Sequence, residues 1–200
     1  MLITTEAIVL SLQPHSDKAH ILHTYTRASG RVNYMVYGLG RKHSGAIYTP
    51  MALLQLTAEQ PPANSKRPPT LREATLSISP IGLRTPDLTK QTIALFLSEV
   101  LFHTLKHPME DPEMFEYLSN AVRLLEQEKE PQNFHLQFLI GLAERLGFAI
   151  DEQAHPELVQ LPLTRAERQK QLRQLCSYLS ENIDTWQQPR SLDILTEIFD

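Results

Sequence analysis

The hydrophobic pattern changes its period once, near residue 87, and that change divides the chain. Before it, runs at residues 6–13, 19–26, 32–37, 51–58 and 71–78 are rich in Ile, Val, Leu, Tyr and Thr, as strands are. Turn signals separate them: Pro14 to Asp17, Ser29-Gly30, Gly38 to Gly45, and the Pro-rich stretch 59–70. Gly30 stands where a tight hairpin needs positive φ. No helix-length periodic segment lies between the runs. The pattern predicts a small antiparallel barrel rather than alternating strands and helices.

After residue 87 the spacing is helical. Ile93, Phe96, Leu97, Val100, Leu101 and Leu105 recur at i, i+3, i+4. Asp111-Pro112-Glu113 starts a helix running to about residue 127, because Asp caps free N–H groups and Pro sacrifices no needed donor at the first position. Pro131 opens the next, with Phe134, Phe138, Leu139, Leu142 and Leu146 apolar and Gly147 as its C-cap. Thr164 and Glu167 form a capping box ahead of Leu172, Leu175, Leu179 and Ile183. Ser191 is expected to cap a last short helix ending near residue 199. All seven Phe and the single Trp follow the boundary, so the core changes character with the fold. The expected class is α+β, β first: a five-stranded barrel over 1–82 and a helical bundle over 83–200.

Composition excludes several alternatives. A chain of 200 residues, 42% hydrophobic and 21% charged, can bury a core and is not disordered as a whole. One cysteine leaves no internal disulfide and no Cys-rich zinc site. The first residues lack a basic region and meet Glu6, unlike a signal peptide. The longest apolar stretch, 93–102, contains Ser98 and Glu99 and is too short for a membrane span. The chain is read as soluble and intracellular. Its net charge of −4 hides an asymmetry: +5 through Pro86 and −9 beyond it. A basic half joined to an acidic half suggests two surfaces with different partners.

The densest basic cluster is Gly38-Leu39-Gly40-Arg41-Lys42-His43-Ser44-Gly45. Glycines let backbone N–H groups approach phosphate, and Arg41 and Lys42 supply countercharge. The spacing is neither a P-loop nor a dinucleotide fingerprint, and a loop of solvated charges is the alternative. Lys66 and Arg67 form a second basic site between the fourth and fifth strands, where a Greek-key barrel commonly holds single strands. Lys18, Arg27 and Arg31 add to the basic half. If Val32, Tyr34 and Val36 face the core, Tyr37 points outward beside Arg41 and Lys42, where a base could stack. Packing under a neighbouring domain is the alternative.

Enzyme signals are weak. His103 and His107 read as helix-surface histidines four residues apart, without the Glu of a His-Glu-x-x-His site. His15, His20 and His23 have only Asp17 nearby. Cys176 lies on an apolar helical stripe and reads as core. Neither catalysis nor a metal or other cofactor is expected, and a metal-dependent hydrolase has almost no residue support.

Ala7-Ile8-Val9-Leu10, Asp17 before an Ile-Leu-rich strand, Tyr25-Thr26 with Gly30, Gly38-x-Gly-Arg-Lys-x-Ser44, and Pro50 with Leu53-Leu54 together resemble the N-terminal domain of the RecO recombination mediators. Leu71-Arg72-Glu73-Ala74 resembles the segment closing that domain. Phe115-x-x-Leu118, Leu124-Leu125, the helix ending at Gly147 and Arg190-Ser191-Leu192-x-Ile194-Leu195 extend the resemblance over nearly the whole chain. Many members carry a four-cysteine zinc element after that helix; residues 148–164 contain no cysteine, so no zinc is expected.

The resemblance implies an OB-fold on a helical domain. It also implies a bacterial, cytoplasmic, nucleoid-associated protein without catalytic turnover. Such a protein binds single- and double-stranded DNA, anneals strands, and works with RecR to place RecA on DNA coated by single-strand-binding protein. It points further to the acidic C-terminal tail of single-strand-binding protein as a ligand of the helical half. Candidate cations for that tail are Arg123, Arg145, Arg165, Arg168 and Arg173. The competing reading is a non-catalytic adaptor whose acidic helical half contacts protein.

Overall fold

The computed structural model describes residues 1–40, 45–62, 64–79, 87–162 and 164–198. β1 (Leu2–Ser16) belongs to two neighbours. Its first half pairs with β4 (Leu53–Glu59), from Leu2 opposite Glu59 to Ile8 opposite Leu53. Its second half pairs with β2 (Ala19–Thr26), from Ala7 opposite Thr26 to Ser16 opposite Ala19. A register shift between Val9 and Ser11 is the bulge that bends one strand toward both. β3 (Gly30–Tyr37) forms a hairpin with β2 and meets β5 (Thr70–Ile78) in parallel at Met35 and Thr70. Antiparallel β4 and β5 close the ring in the order β1-β2-β3-β5-β4, the five-stranded barrel of the OB-fold.

The five expected strands are present, with differences at their ends: β1 continues to Ser16, through most of the expected turn, and β3 begins at Gly30. β1 starts at Leu2 rather than near residue 6, because pairing with β4 recruits Thr4, Thr5 and Glu6, which form no apolar run. Met51 stands outside β4: its φ is 62°, and its N–H donates to the Val9 carbonyl at 2.8 Å.

β1 is buried on both faces, which is why Ala7-Ile8-Val9-Leu10 reads as continuous rather than alternating. Ala7 and Val9 face inward with Leu22, Tyr34, Val36, Leu54 and Leu56. Ile8 and Leu10 face outward and join Tyr25, Met51 and Leu53 in a second cluster with the helices. Burying one such aliphatic side chain contributes about 1.5–3 kcal/mol.

α1 (Leu88–Thr104) is the centre of the helical half, and Ile93, Phe96, Leu97, Val100 and Leu101 are fully buried on it. Asp87 caps it by accepting from the Lys90 N–H at 3.1 Å. α2 (Pro112–Gln127) is capped by Asp111, as the Asp-Pro-Glu signal predicts. α3 (Phe134–Arg145) ends in a Schellman turn at Gly147 (φ 92°), with Phe148 N–H on Ala143 and Gly147 N–H on Glu144. α4 (Pro156–Val159) is a single turn. α5 (Arg165–Asn182) carries both hydrogen bonds of the Thr164–Glu167 capping box. Ser191 immediately precedes α6 (Leu192–Ile198) and its carbonyl accepts from the Leu195 N–H at 2.8 Å, while its own N–H and hydroxyl donate to Glu99 of α1 at 2.9 and 2.7 Å. α1 stops at Thr104, so His107 falls in the linker to α2 and does not share a helix with His103. The expected boundary between 1–82 and 83–200 falls within residues 80–86, outside the described residues.

Candidate nucleic-acid interface

Strand register brings two connections that carry basic residues to the second half of β3. Ala19 stands opposite Tyr37, so the turn carrying Lys18 adjoins the end of β3. Met35 stands opposite Thr70 and donates its N–H to Pro69 at 2.8 Å, so the connection carrying Lys66 and Arg67 reaches β3 at Met35, and because the pairing is parallel it arrives from the Asn33 side of Met35. Lys18, Lys66 and Arg67 are exposed. Alternation holds along β3: Tyr34 and Val36 are buried, and Tyr37 is 49% exposed on the other face. An exposed aromatic side chain on a sheet surface and exposed cations on connections to the same strand are the components with which a barrel can hold a single strand by stacking and charge. Arg41 and Lys42 lie outside the described residues.

Arg27 and Arg31 lie at the opposite end of the hairpin and have other uses. Arg27 bonds Glu6 at 2.7 Å and Glu116 of α2 at 2.6 Å, and its guanidinium lies 4.5 Å from the centroid of Phe115. Arg31 lies flat over Phe102 at 4.4 Å and donates to the Phe102 carbonyl at 3.3 Å. Burial pushes its pKa down to about 10. The structure therefore joins these two arginines to the helices, apart from Lys18, Tyr37, Lys66 and Arg67. Sequence spacing carries no signal for this, because the contacts of Arg31 with Phe102 and of Arg27 with Glu116 span 71 and 89 residues.

The outer face of β2 and β3 thus grades from covered to open. Tyr25 and Arg31 form the covered end. Next come His23 and Asn33, bonded at 2.7 Å, with the edge of His23 against Phe102 at 5.1 Å. Burial lowers the pKa of His23, Asn33 opposes this, and Arg31 adds to the lowering. Ile21, Met35 and Tyr37 form the open end. Alternation alone puts Met35 on the face of Tyr37; Ile21, which needs the register of β2 on β3, and Phe102 as the covering residue were not legible.

Two family models match the chain: the Recombination protein O N terminal over residues 1–76, and the Recombination protein O C terminal over residues 85–156. The chain belongs to the RecO family. A DNA repair protein RecO of Flavobacterium psychrophilum is 26% identical over 246 aligned positions that take in the whole of both chains. The RecO of Porphyromonas gingivalis is 33% identical over 159 positions, 76% of this chain and 64% of that one. The RecO of Bacteroides fragilis is 33% identical over 151 positions, 74% of this chain and 61% of that one. RecO proteins carry DNA repair in their name, and the OB barrel here is the part matched by the N-terminal model.

In the helical half the five candidate arginines are spread over three helices, with Arg123 and Arg145 inside the matched residues 85–156 and Arg165, Arg168 and Arg173 beyond them. Arg123 is exposed on α2 beside Leu124, itself 60% exposed. Arg145 of α3 lies over the ring of Tyr117 at 3.9 Å and donates to the Gly141 carbonyl. Arg165 donates to the Thr196 carbonyl of α6 at 3.2 Å. Arg168 is half-buried and Arg173 exposed on α5. Cys176 is buried, and burial pushes its thiol up to about 12. Among the described residues, no three His, Cys, Asp or Glu side chains come together to hold a metal, and no helix is long and apolar enough to cross a membrane.

Proposed function

We propose that this chain is a DNA-binding recombination mediator that binds single and double strands across the open end of β2 and β3. In this reading it anneals complementary strands by neutralising charge and then releasing them, without bond chemistry. It acts with RecR to place RecA on DNA coated by single-strand-binding protein, in the bacterial cytoplasm at the nucleoid. One observation carries the reading: Tyr37 is exposed on the face of β3, the strand that the connections bearing Lys18 and Lys66-Arg67 both reach. Arg41 and Lys42 join the proposed site on the sequence pattern alone. Arg27 and Arg31 contribute less, because their guanidinium groups are already engaged.

For the tail of single-strand-binding protein, Arg123 beside Leu124 supplies the best-matched pair on the helical half, a cation next to exposed apolar surface. The adaptor reading draws on a groove of about 790 Å³ between α2 and α3, where Glu113, Glu116 and Glu144 line the walls. DNA titration of the full chain separates the two. Affinity that falls with salt, and falls again when Lys66 and Arg67 are replaced, supports the mediator. No DNA binding at low salt leaves the adaptor.

A further inference from the structure

The second half of β1 has a strand neighbour on one side only. Pairing with β4 stops at Ile8, and Val9 bonds to Met51 and Ala52. Beyond Val9, no strand covers that edge among the described residues. α1 and the segment before α6 stand off from it and leave a cleft of about 620 Å³, a volume typical of small-molecule sites. Both halves of the chain build it, with residues 10–13 and Tyr48 on one wall and α1 and residues 187–190 on the other.

Tyr48 is 5% exposed, and its hydroxyl is buried with no hydrogen-bond partner. A buried hydroxyl left unbonded is costly and calls for an acceptor. Burial pushes its pKa up to about 12, so it remains a donor at any working pH. Glu99, the carboxylate lining the cleft, already accepts both hydrogen bonds from Ser191. Burial holds His103 below its ordinary pKa, and Lys106, Arg31 and Arg190 lower it further against Glu99. Of the charged residues lining the cleft, Arg190 is exposed, and the Glu99 carboxylate is engaged by Ser191. Gln13, Gln187 and Gln188 offer amides that both donate and accept, and Phe102 offers an aromatic wall.

A neutral donor, amides, an aromatic wall and one exposed arginine match one nucleotide: a base with mixed edges and a flat face, carrying a phosphate. The cleft is also continuous with the open face. Gln13 stands opposite Ile21, and Ile21 opposite Met35. At ordinary strand and residue spacings, Gln13 and Tyr37 are about 12 Å apart along the sheet.

We propose that the cleft between β1 and α1 receives one unstacked base of a single strand lying across β2 and β3, with the Tyr48 hydroxyl donating to its edge and Arg190 meeting its phosphate. The proposal rests on the nucleic-acid reading above and gives the helical half a direct part in holding the strand.

The test is binding of the full chain to a fluorescein-labelled dT oligonucleotide over a range of salt, for wild type, Tyr48→Phe, Arg190→Gln and Tyr37→Ala. Tyr48→Phe removes only an unbonded hydroxyl, so the melting temperature holds or rises while affinity falls about 3- to 10-fold at unchanged salt slope. Arg190→Gln, on the surface, lowers affinity and reduces the slope by about 0.7. A lower melting temperature with wild-type affinity in Tyr48→Phe assigns that hydroxyl a structural role and overturns the proposal. So does wild-type affinity in both variants while Tyr37→Ala weakens binding, an outcome that leaves the nucleic-acid reading standing. No binding by wild type removes both.

Discussion

Gly30 lies backbone to backbone against Met109: a Cβ on Gly30 would stand 2.2 Å from the Met109 carbonyl oxygen. Gly30 also has φ of 59°, and the next residue, Arg31, donates its N–H to the His107 carbonyl at 3.2 Å. The tip of the β2–β3 hairpin and the linker between α1 and α2 are thereby fixed to each other. The same glycine makes the turn and permits the contact.

Gly30→Ala meets both obstacles, a left-handed backbone and a collision with backbone that cannot swing away. The expected loss is at least about 2 kcal/mol, or a drop in melting temperature of roughly 5 °C for a chain of this size. Gly40 is the control: its φ is 83°, but no described residue lies within 4 Å of its Cβ position. Gly40→Ala should cost about 1 kcal/mol. Equal losses in urea melts of the two variants would show that the contact with Met109 is unimportant.

Arg31→Met should separate stability from DNA binding. It removes the guanidinium over Phe102 and the bond to its carbonyl, and an expected loss of about 1–3 kcal/mol follows. The salt slope of DNA binding should stay near wild type. Arg31→Lys should restore little of the stability, because an ammonium cannot lie flat on the ring while reaching the carbonyl. A slope change without a stability change would place Arg31 on the nucleic acid instead.

His135 gives the fold a pH dependence. Burial, with help from Arg168, pushes its pKa from 6.5 down to about 3. The folded protein keeps this ring neutral while the unfolded chain protonates below pH 6.5. Stability is therefore present above that pH and is lost as pH falls toward 3, with a slope of up to about 1.4 kcal/mol per pH unit from this group. His23 and His103 are lowered too and act in the same direction. Urea melts between pH 7.5 and 5 should show the decline, and His135→Gln should flatten it. A steeper decline in that variant would contradict the assignment.

Much of the fold was legible because its signals are local. Turn residues bounded the five strands, Asp111-Pro112 started α2, Thr164 and Glu167 started α5, and Gly147 ended α3. Alternation along β3 put Tyr37 outside. The unreadable part lies in contacts between the halves. Nothing local says that Leu2 to Glu6 pair with β4, that Ser191 bonds Glu99, or that Phe102 covers Arg31. Charge counting treats Arg27 and Arg31 like Lys18 and Lys66, since formal charge does not show which guanidinium is occupied.

Tyr37 is the residue on which base stacking depends in this account. Tyr37→Ala should weaken single-strand binding by about 1–3 kcal/mol, roughly 5- to 150-fold, with the salt slope unchanged because no phosphate contact is lost. Tyr37→Phe should retain most of the affinity. Fluorescence anisotropy with a short dT oligonucleotide reads both. Loss in the Phe variant equal to that in the Ala variant would point to the hydroxyl rather than the ring.

The proposal that Lys18, Lys66 and Arg67 hold the phosphates of a strand stacked on Tyr37 is tested most directly by the salt dependence of oligonucleotide binding in the triple variant Lys18→Ala, Lys66→Ala, Arg67→Ala. All three side chains are exposed, so the fold should survive. With about 0.7 lost per phosphate contact on a single strand, the slope of log affinity against log salt should fall by about 2. A folded triple variant with wild-type affinity and wild-type slope would place the DNA elsewhere on the molecule.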